Sequence, residues 1–229
     1  MALLRLCGGV YGHNQEPMDA VRKQNRYLDC VLLDNPDTVA GAIAAIEVLK
    51  RKIEEGEVRS FGLCNVSADF IQKLLDIAPH LTPAVIQNPF SRFFYNDFDV
   101  ETRGLCHGPA GLRANQPIYY QGFYVVTGNL NVWKGAPYVR IIAQGAGVSD
   151  VAAWFSLVMS ANVVVLTGTS NHMQSSLEDI KAVEGWRHRN PEIWGKCQQV
   201  FLDAINGDHF QPDTGAADCK TEFERQFRQ

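Results

Sequence analysis

The chain has 229 residues, 46 % of them hydrophobic and 20 % charged, and a formal net charge of −4. That length supports one sizeable core, and the acidic balance offers no basic footprint for nucleic acid or an anionic membrane. No apolar run approaches the roughly 18 residues of a bilayer-spanning helix, and the opening Met1-Ala2-Leu3-Leu4-Arg5 has no charged leader, so a cytoplasmic location is expected.

In chain order, short branched apolar runs alternate with helix-period stretches, the pattern of a parallel α/β sheet. A first strand is expected at Leu3 to Cys7. Cys30-Val31-Leu32-Leu33 is a buried-strand run ended by Asp34-Asn35-Pro36. Val39, Ile43, Ile46, Leu49 and Ile53 then recur at three and four residues, which predicts an amphipathic helix over 38–55, stopped by Gly56. The next strand is Val58 to Leu63 and the next helix 67–77, with Ser67 as N-cap. Further strands are expected at Ala84 to Ile86, Pro117 to Tyr120 and Asn162 to Leu166. Further helices are expected at 99–107, 137–146, 149–160 and 175–183.

The composition changes from Trp186 onward. One more helix fits Ile193 to Ile205, followed by a polar, turn-rich stretch and a charged end. We therefore divide the chain into a β/α domain at 1–186 and a helix and tail at 187–229 packing on it. Five or six β-α units in succession fit either an open doubly wound sheet or a fragment of an eight-fold barrel. No phosphate-binding glycine motif is present: Gly8-Gly9-Val10-Tyr11-Gly12 has the wrong spacing for a dinucleotide fingerprint.

The six cysteines are scattered, none in a C-x-x-C pair, and reduced, buried thiols are expected. The six histidines are equally dispersed and no pair has zinc-site spacing, so no metal is expected.

Several segments, read in order, resemble the aldo-keto reductases. Tyr27 to Pro36 looks like that family's fourth barrel strand, which usually ends in a His two residues before Pro. Glu54-Glu55-Gly56-Glu57-Val58-Arg59-Ser60-Phe61-Gly62-Leu63-Cys64-Asn65 is similar to its "EEGKIRxIGxSN" segment. Pro83 to Asn88 matches the sixth strand. Ile118 to Phe123, through Thr127-Gly128-Asn129, resembles a seventh-strand variant of fungal members, and Leu166 to Ser170 looks like the eighth strand and its turn. The resemblance covers about residues 12 to 186 and implies an incomplete TIM-type (β/α) barrel of about six of eight β-α units, with Leu3 to Cys7 as the third strand.

The family reduces carbonyls with NADPH, using an Asp, a proton-donating Tyr, a Lys and a His. By this alignment the Asp and Tyr precede the residues present, the Lys would fall near Leu6 or Cys7, and Asp34 stands at the His position. A carboxylate there opposes developing alkoxide charge, so ordinary carbonyl reduction is not expected. Asn65 and Gln87 match the side chains that hold the nicotinamide carboxamide. Gln121 stands where an aromatic stacks on the ring, and Thr167 and Gln174 stand where a cation would meet the 2′-phosphate. No cofactor is expected, with residual NADP binding through Asn65 and Gln87 as the alternative.

What remains at the strand ends is a polar floor with aromatic walls, suited to a hydrophobic small molecule. Asp34, with His13 or Tyr95 as partner, is the candidate acid or base. Asn35, Phe90, Phe94, Gln121 and Tyr124 are the candidate substrate contacts. The implied chemistry is non-redox: cyclisation, isomerisation, dehydration or a pericyclic step on a natural-product intermediate, in keeping with fungal secondary metabolism. Competing readings are a non-catalytic binding or partner protein and a residual NADPH-dependent oxidoreductase. Exposed strand edges of a shortened barrel further predict a homodimer.

Overall fold

The computed structural model describes residues 3–7, 27–92, 97–107, 118–167 and 173–206. It falls into two compact units, one of residues 1–88 with 101–121 and one of residues 89–100 with 122–229.

The first unit is a parallel sheet. Strand β1 (Leu3–Cys7) pairs with β2 (Cys30–Asp34), β2 with β3 (Phe61–Cys64), and β3 with β4 (Val85–Pro89). Strand β5 (Tyr119–Phe123) follows in the same order. The order never reverses along the chain, which sets the unit apart from a doubly wound sheet, where it does. Every residue of β2, β3 and β4 is buried, as expected of strands covered on both faces. Strand β3 starts later than Val58, which forms an isolated bridge to Leu28. It is also tightly seated, since a Cβ on Gly62 would lie 2.5 Å from the Val85 carbonyl oxygen and 2.6 Å from Leu32 Cδ2.

Helix α1 (Val39–Glu54) begins where Thr38 accepts a hydrogen bond from the Gly41 N–H, and it buries Ala42, Ile46 and Leu49. It gives way to Gly56, whose φ of 75° is available to glycine without strain. Helix α2 (Ala68–Ile77) is capped by Ser67, which accepts from the Phe70 N–H, and packs against α1 through a face including Ile71, Leu74 and Leu75. Helix α3 (Val100–His107) completes the helices that begin before β5.

In the second unit, β6 (Val163–Val165) runs beside the end of β5, and Leu166 N–H donates to the Gly122 carbonyl. Helices α5 (Pro137–Ala146), α6 (Asp150–Ser160), α7 (Met173–Arg189) and α8 (Pro191–Asn206) pack on one another. A short α4 (Leu130–Trp133) precedes them. Trp154 of α6 and Phe201 of α8 meet edge to face at 5.4 Å, and Trp154 Nε1 donates to the Val125 carbonyl at 2.8 Å. Helix α7 is longer than its periodic stretch at 175–183 and runs through the expected boundary at 186/187. Buried Val183 and Trp186 carry it on until Pro191 opens α8. Among the described residues no single helix is long and apolar enough to cross a membrane.

Candidate functional site

The ends of β2, β3, β4 and β5 in the first unit carry a row of polar side chains. Asp34 pairs in register with Cys64, and Cys64 with Gln87, so the three side chains leave the sheet on one face. Asp34 is 9 % exposed, Gln87 3 % and Gln121 5 %. Buried polar groups of this kind must be paired, and the row is. Asn65 Nδ2 donates to Asp34 Oδ1 at 2.7 Å. The Cys64 thiol donates to Gln87 Oε1 at 3.6 Å, and Gln87 Nε2 donates to Gln121 Oε1 at 3.0 Å.

Local backbone explains why asparagine stands at two of these ends. Asn35 and Asn65 have φ of 50° and 56°, a left-handed conformation that asparagine tolerates better than most residues. Their N–H groups close the ladder, Asn35 donating to the Cys64 carbonyl at 2.8 Å and Asn65 to the Gln87 carbonyl at 3.1 Å. Asn88 holds the next turn from both sides: its Oδ1 accepts from Val66 N–H and its Nδ2 donates to the Val66 carbonyl. The turn that aims Asn65 at Asp34 is therefore anchored by a buried amide.

The aldo/keto reductase family model matches residues 19–107. Solved structures agree over more of the chain. An aldo/keto reductase from Brucella melitensis superposes with a TM-score of 0.60 at 17 % identity, covering 88 % of this chain and 72 % of that one. An aldo/keto reductase from Klebsiella pneumoniae does so with a TM-score of 0.56 at 13 % identity, covering 83 % and 70 %. By fold and by family segment, the chain is aldo-keto reductase-like. A Giardia lamblia aldose reductase adds a TM-score of 0.53 at 18 % identity over 90 % of this chain and 71 % of its own. No curated protein matches the chain.

In this aldo-keto reductase-like chain the residues named from sequence separate into groups. Asp34, Asn65, Gln87 and Gln121 come together as the row described above, all within the first unit. Asn35 sits exposed at the end of β2. His13, Phe94 and Tyr95 lie outside the described residues. Phe90 belongs to the second unit and is fully buried against Phe98, ring centroids 5.1 Å apart, so it is a core residue and offers a ligand no surface. Tyr124, also in the second unit, is about half exposed, with φ of 57° and its ring 5.0 Å from that of Phe123. Cys64 is the member of the row that sequence reasoning passed over. The register of β3 between β2 and β4 is the signal that places it there.

The resemblance implies a nicotinamide dinucleotide, and the donor set tests that implication. Asn65 spends an amide N–H on Asp34, and Gln87 is engaged at both its oxygen and its nitrogen. A carboxamide would have to displace the Gln87–Gln121 bond. The ring-stacking position holds an amide in place of an aromatic. Thr167 is exposed and neutral, and Gln174 donates to Glu178 on its own helix. The arrangement as it stands does not fit the nicotinamide end of that cofactor.

Other chemistry-bearing groups lie elsewhere. His107, at the end of α3, has its pKa lowered, first by burial and then by the charge of Arg103. Cys30, Cys64, Cys106 and Cys197 are free and buried. Burial pushes the Cys30 thiol up and the Cys197 thiol up to about 12, which makes both poor nucleophiles. Among the described residues no three His, Cys, Asp or Glu side chains gather into a metal site.

Proposed function

We propose that the chain binds a hydrophobic small molecule over the strand ends of its first unit and acts on it by acid–base chemistry at Asp34, without hydride transfer. The observation that carries this reading is the 2.7 Å hydrogen bond from Asn65 to the nearly buried Asp34. An amide N–H favours the ionised carboxylate and fixes its orientation. A positioned carboxylate can take a proton from carbon or oxygen and return it elsewhere on the same molecule. Cyclisation, double-bond isomerisation and dehydration need no more than that, and a pericyclic step needs only the shape of the site.

A second reading keeps nicotinamide chemistry. The Klebsiella pneumoniae protein was solved with NADP and acetate, and Asn65 and Gln87 keep the residue types that the resemblance assigns to the carboxamide. One experiment separates the two. The purified chain is titrated with NADPH by fluorescence to millimolar concentration and assayed for NADPH-linked reduction of a simple aldehyde. The acid–base reading expects neither binding nor turnover, and robust turnover refutes it. With a substrate in hand, Asp34→Asn and Asp34→Ala are each expected to lose about 10²–10⁴ in rate, the contribution of a positioned acid or base. Unchanged turnover in both would remove Asp34 from the chemistry.

A further inference from the structure

The polar row has a direction, and the direction selects a ligand. A thiol carries one proton and its sulfur is a weak acceptor, so the buried Cys64 donates to the Gln87 carbonyl oxygen. That turns the Gln87 amino group toward β5, where it donates to Gln121 Oε1. With its oxygen occupied, Gln121 presents its amino end, and among the described residues no acceptor meets it. Gln87 retains its second N–H. The β4–β5 end of the row therefore shows amide donors. The β2 end shows the opposite character, because an ionised carboxylate only accepts. A carboxylate has about four lone-pair directions, and Asn65 takes one on Asp34.

Neighbouring strands lie about 4.8 Å apart, so the two ends, three strands apart, are separated by roughly 14 Å at backbone level. Between them lies the thiol of fully buried Cys64, which is already committed to Gln87. We propose that this row is a polarity filter: it takes an elongated molecule with a hydroxyl or amine at the Asp34 end and a carbonyl oxygen at the Gln121 end. This rests on the reading of Asp34 as part of a small-molecule site, and it adds Gln121 as the residue that selects the carbonyl. An amide donor at that position also polarises the carbonyl whose neighbouring proton a base would remove.

Three probes on one rigid frame test it: 4-hydroxychalcone, with hydroxyl and ketone; chalcone, with the ketone alone; and 4-hydroxystilbene, with the hydroxyl alone. Affinities are read by ligand-observed NMR on the full chain. Each satisfied handle is expected to add roughly three- to tenfold, the worth of a net hydrogen bond, so 4-hydroxychalcone binds wild type tightest. Gln121→Glu keeps an acceptor for Gln87 but removes the donor. It is expected to bring 4-hydroxychalcone down to the level of 4-hydroxystilbene and leave 4-hydroxystilbene unchanged, and Gln121→Met is expected to do the same. A ketone advantage that survives both variants overturns the filter while leaving Asp34 standing. A hydroxyl advantage that survives Asp34→Ala overturns the reading beneath it. Equal binding of all three probes by wild type, or binding of none, overturns both.

Discussion

Gly145, in the last turn of α5, faces Trp186 of α7 so closely that its missing side chain can be tested by a change of sign. A Cβ added there would stand 2.4 Å from Trp186 Nε1, 2.6 Å from Cε2 and 2.9 Å from Cζ2, well inside van der Waals contact. Trp186 is 6 % exposed, so its ring has no free direction in which to yield. In an open helix, replacing glycine by alanine gains up to about 1 kcal/mol from backbone entropy. Forcing an extra carbon into a packed interface costs about 1–3 kcal/mol. With three ring atoms in conflict, we expect Gly145→Ala to lose about 1–2 kcal/mol net. For a chain of this size that lowers Tm by roughly 2–8 °C. Gly195 of α8 is the matched control, because nothing lies within 4 Å of its added Cβ. Gly195→Ala is expected to raise Tm by about 2–4 °C. Thermal unfolding followed by circular dichroism reads both. In a Trp186→Phe background, where the indole nitrogen is gone, most of the Gly145→Ala penalty should vanish. If Gly145→Ala stabilises wild type as much as Gly195→Ala does, the packing argument is wrong.

Two further outcomes follow from buried groups of the second unit. Asn129 is fully buried, and its Nδ2 donates to the Phe90 carbonyl at 2.6 Å and the Val125 carbonyl at 3.0 Å. Asn129→Leu strands those carbonyls, and at about 1–3 kcal/mol for a buried unsatisfied group urea denaturation should show a loss of about 2–4 kcal/mol. A change below about 0.5 kcal/mol would mean water takes over both bonds. Cys197 has its folded pKa raised by burial from 9.0 to about 12. Its neutral thiol therefore supports the fold fully below pH 9.0, and that support fades as pH rises from 9.0 toward 12. Wild type is expected to lose about 1.4 kcal/mol more than Cys197→Ala between pH 8 and pH 10. Parallel stability–pH curves for the two proteins would refute this.

Much of the fold is legible in one dimension because secondary structure is periodic. The recurrence of Val39, Ile46 and Leu49 marks α1, and Thr38 and Gly56 mark its ends. The run Cys30 to Leu33 marks a strand buried on both faces. The expected helix at 137–146 is the observed α5. Asp34, Asn65, Gln87 and Gln121 are legible as strand-end polar residues through the family resemblance.

Contacts between distant residues are not periodic, and there the tertiary structure decides. Asn65 finds Asp34 across 31 positions, and Gln87 finds Gln121 across 34, because strand order and register set those pairs side by side. Cys64 enters the row for the same reason, with no motif to announce it. Phe90, an aromatic next to a strand end, looks like a pocket wall in sequence and becomes core because Phe98 closes over it. The types and spacing of residues settle which segments are strands and which are helices. Which side chains meet, and which way each amide points, depends on distances that only the folded chain creates.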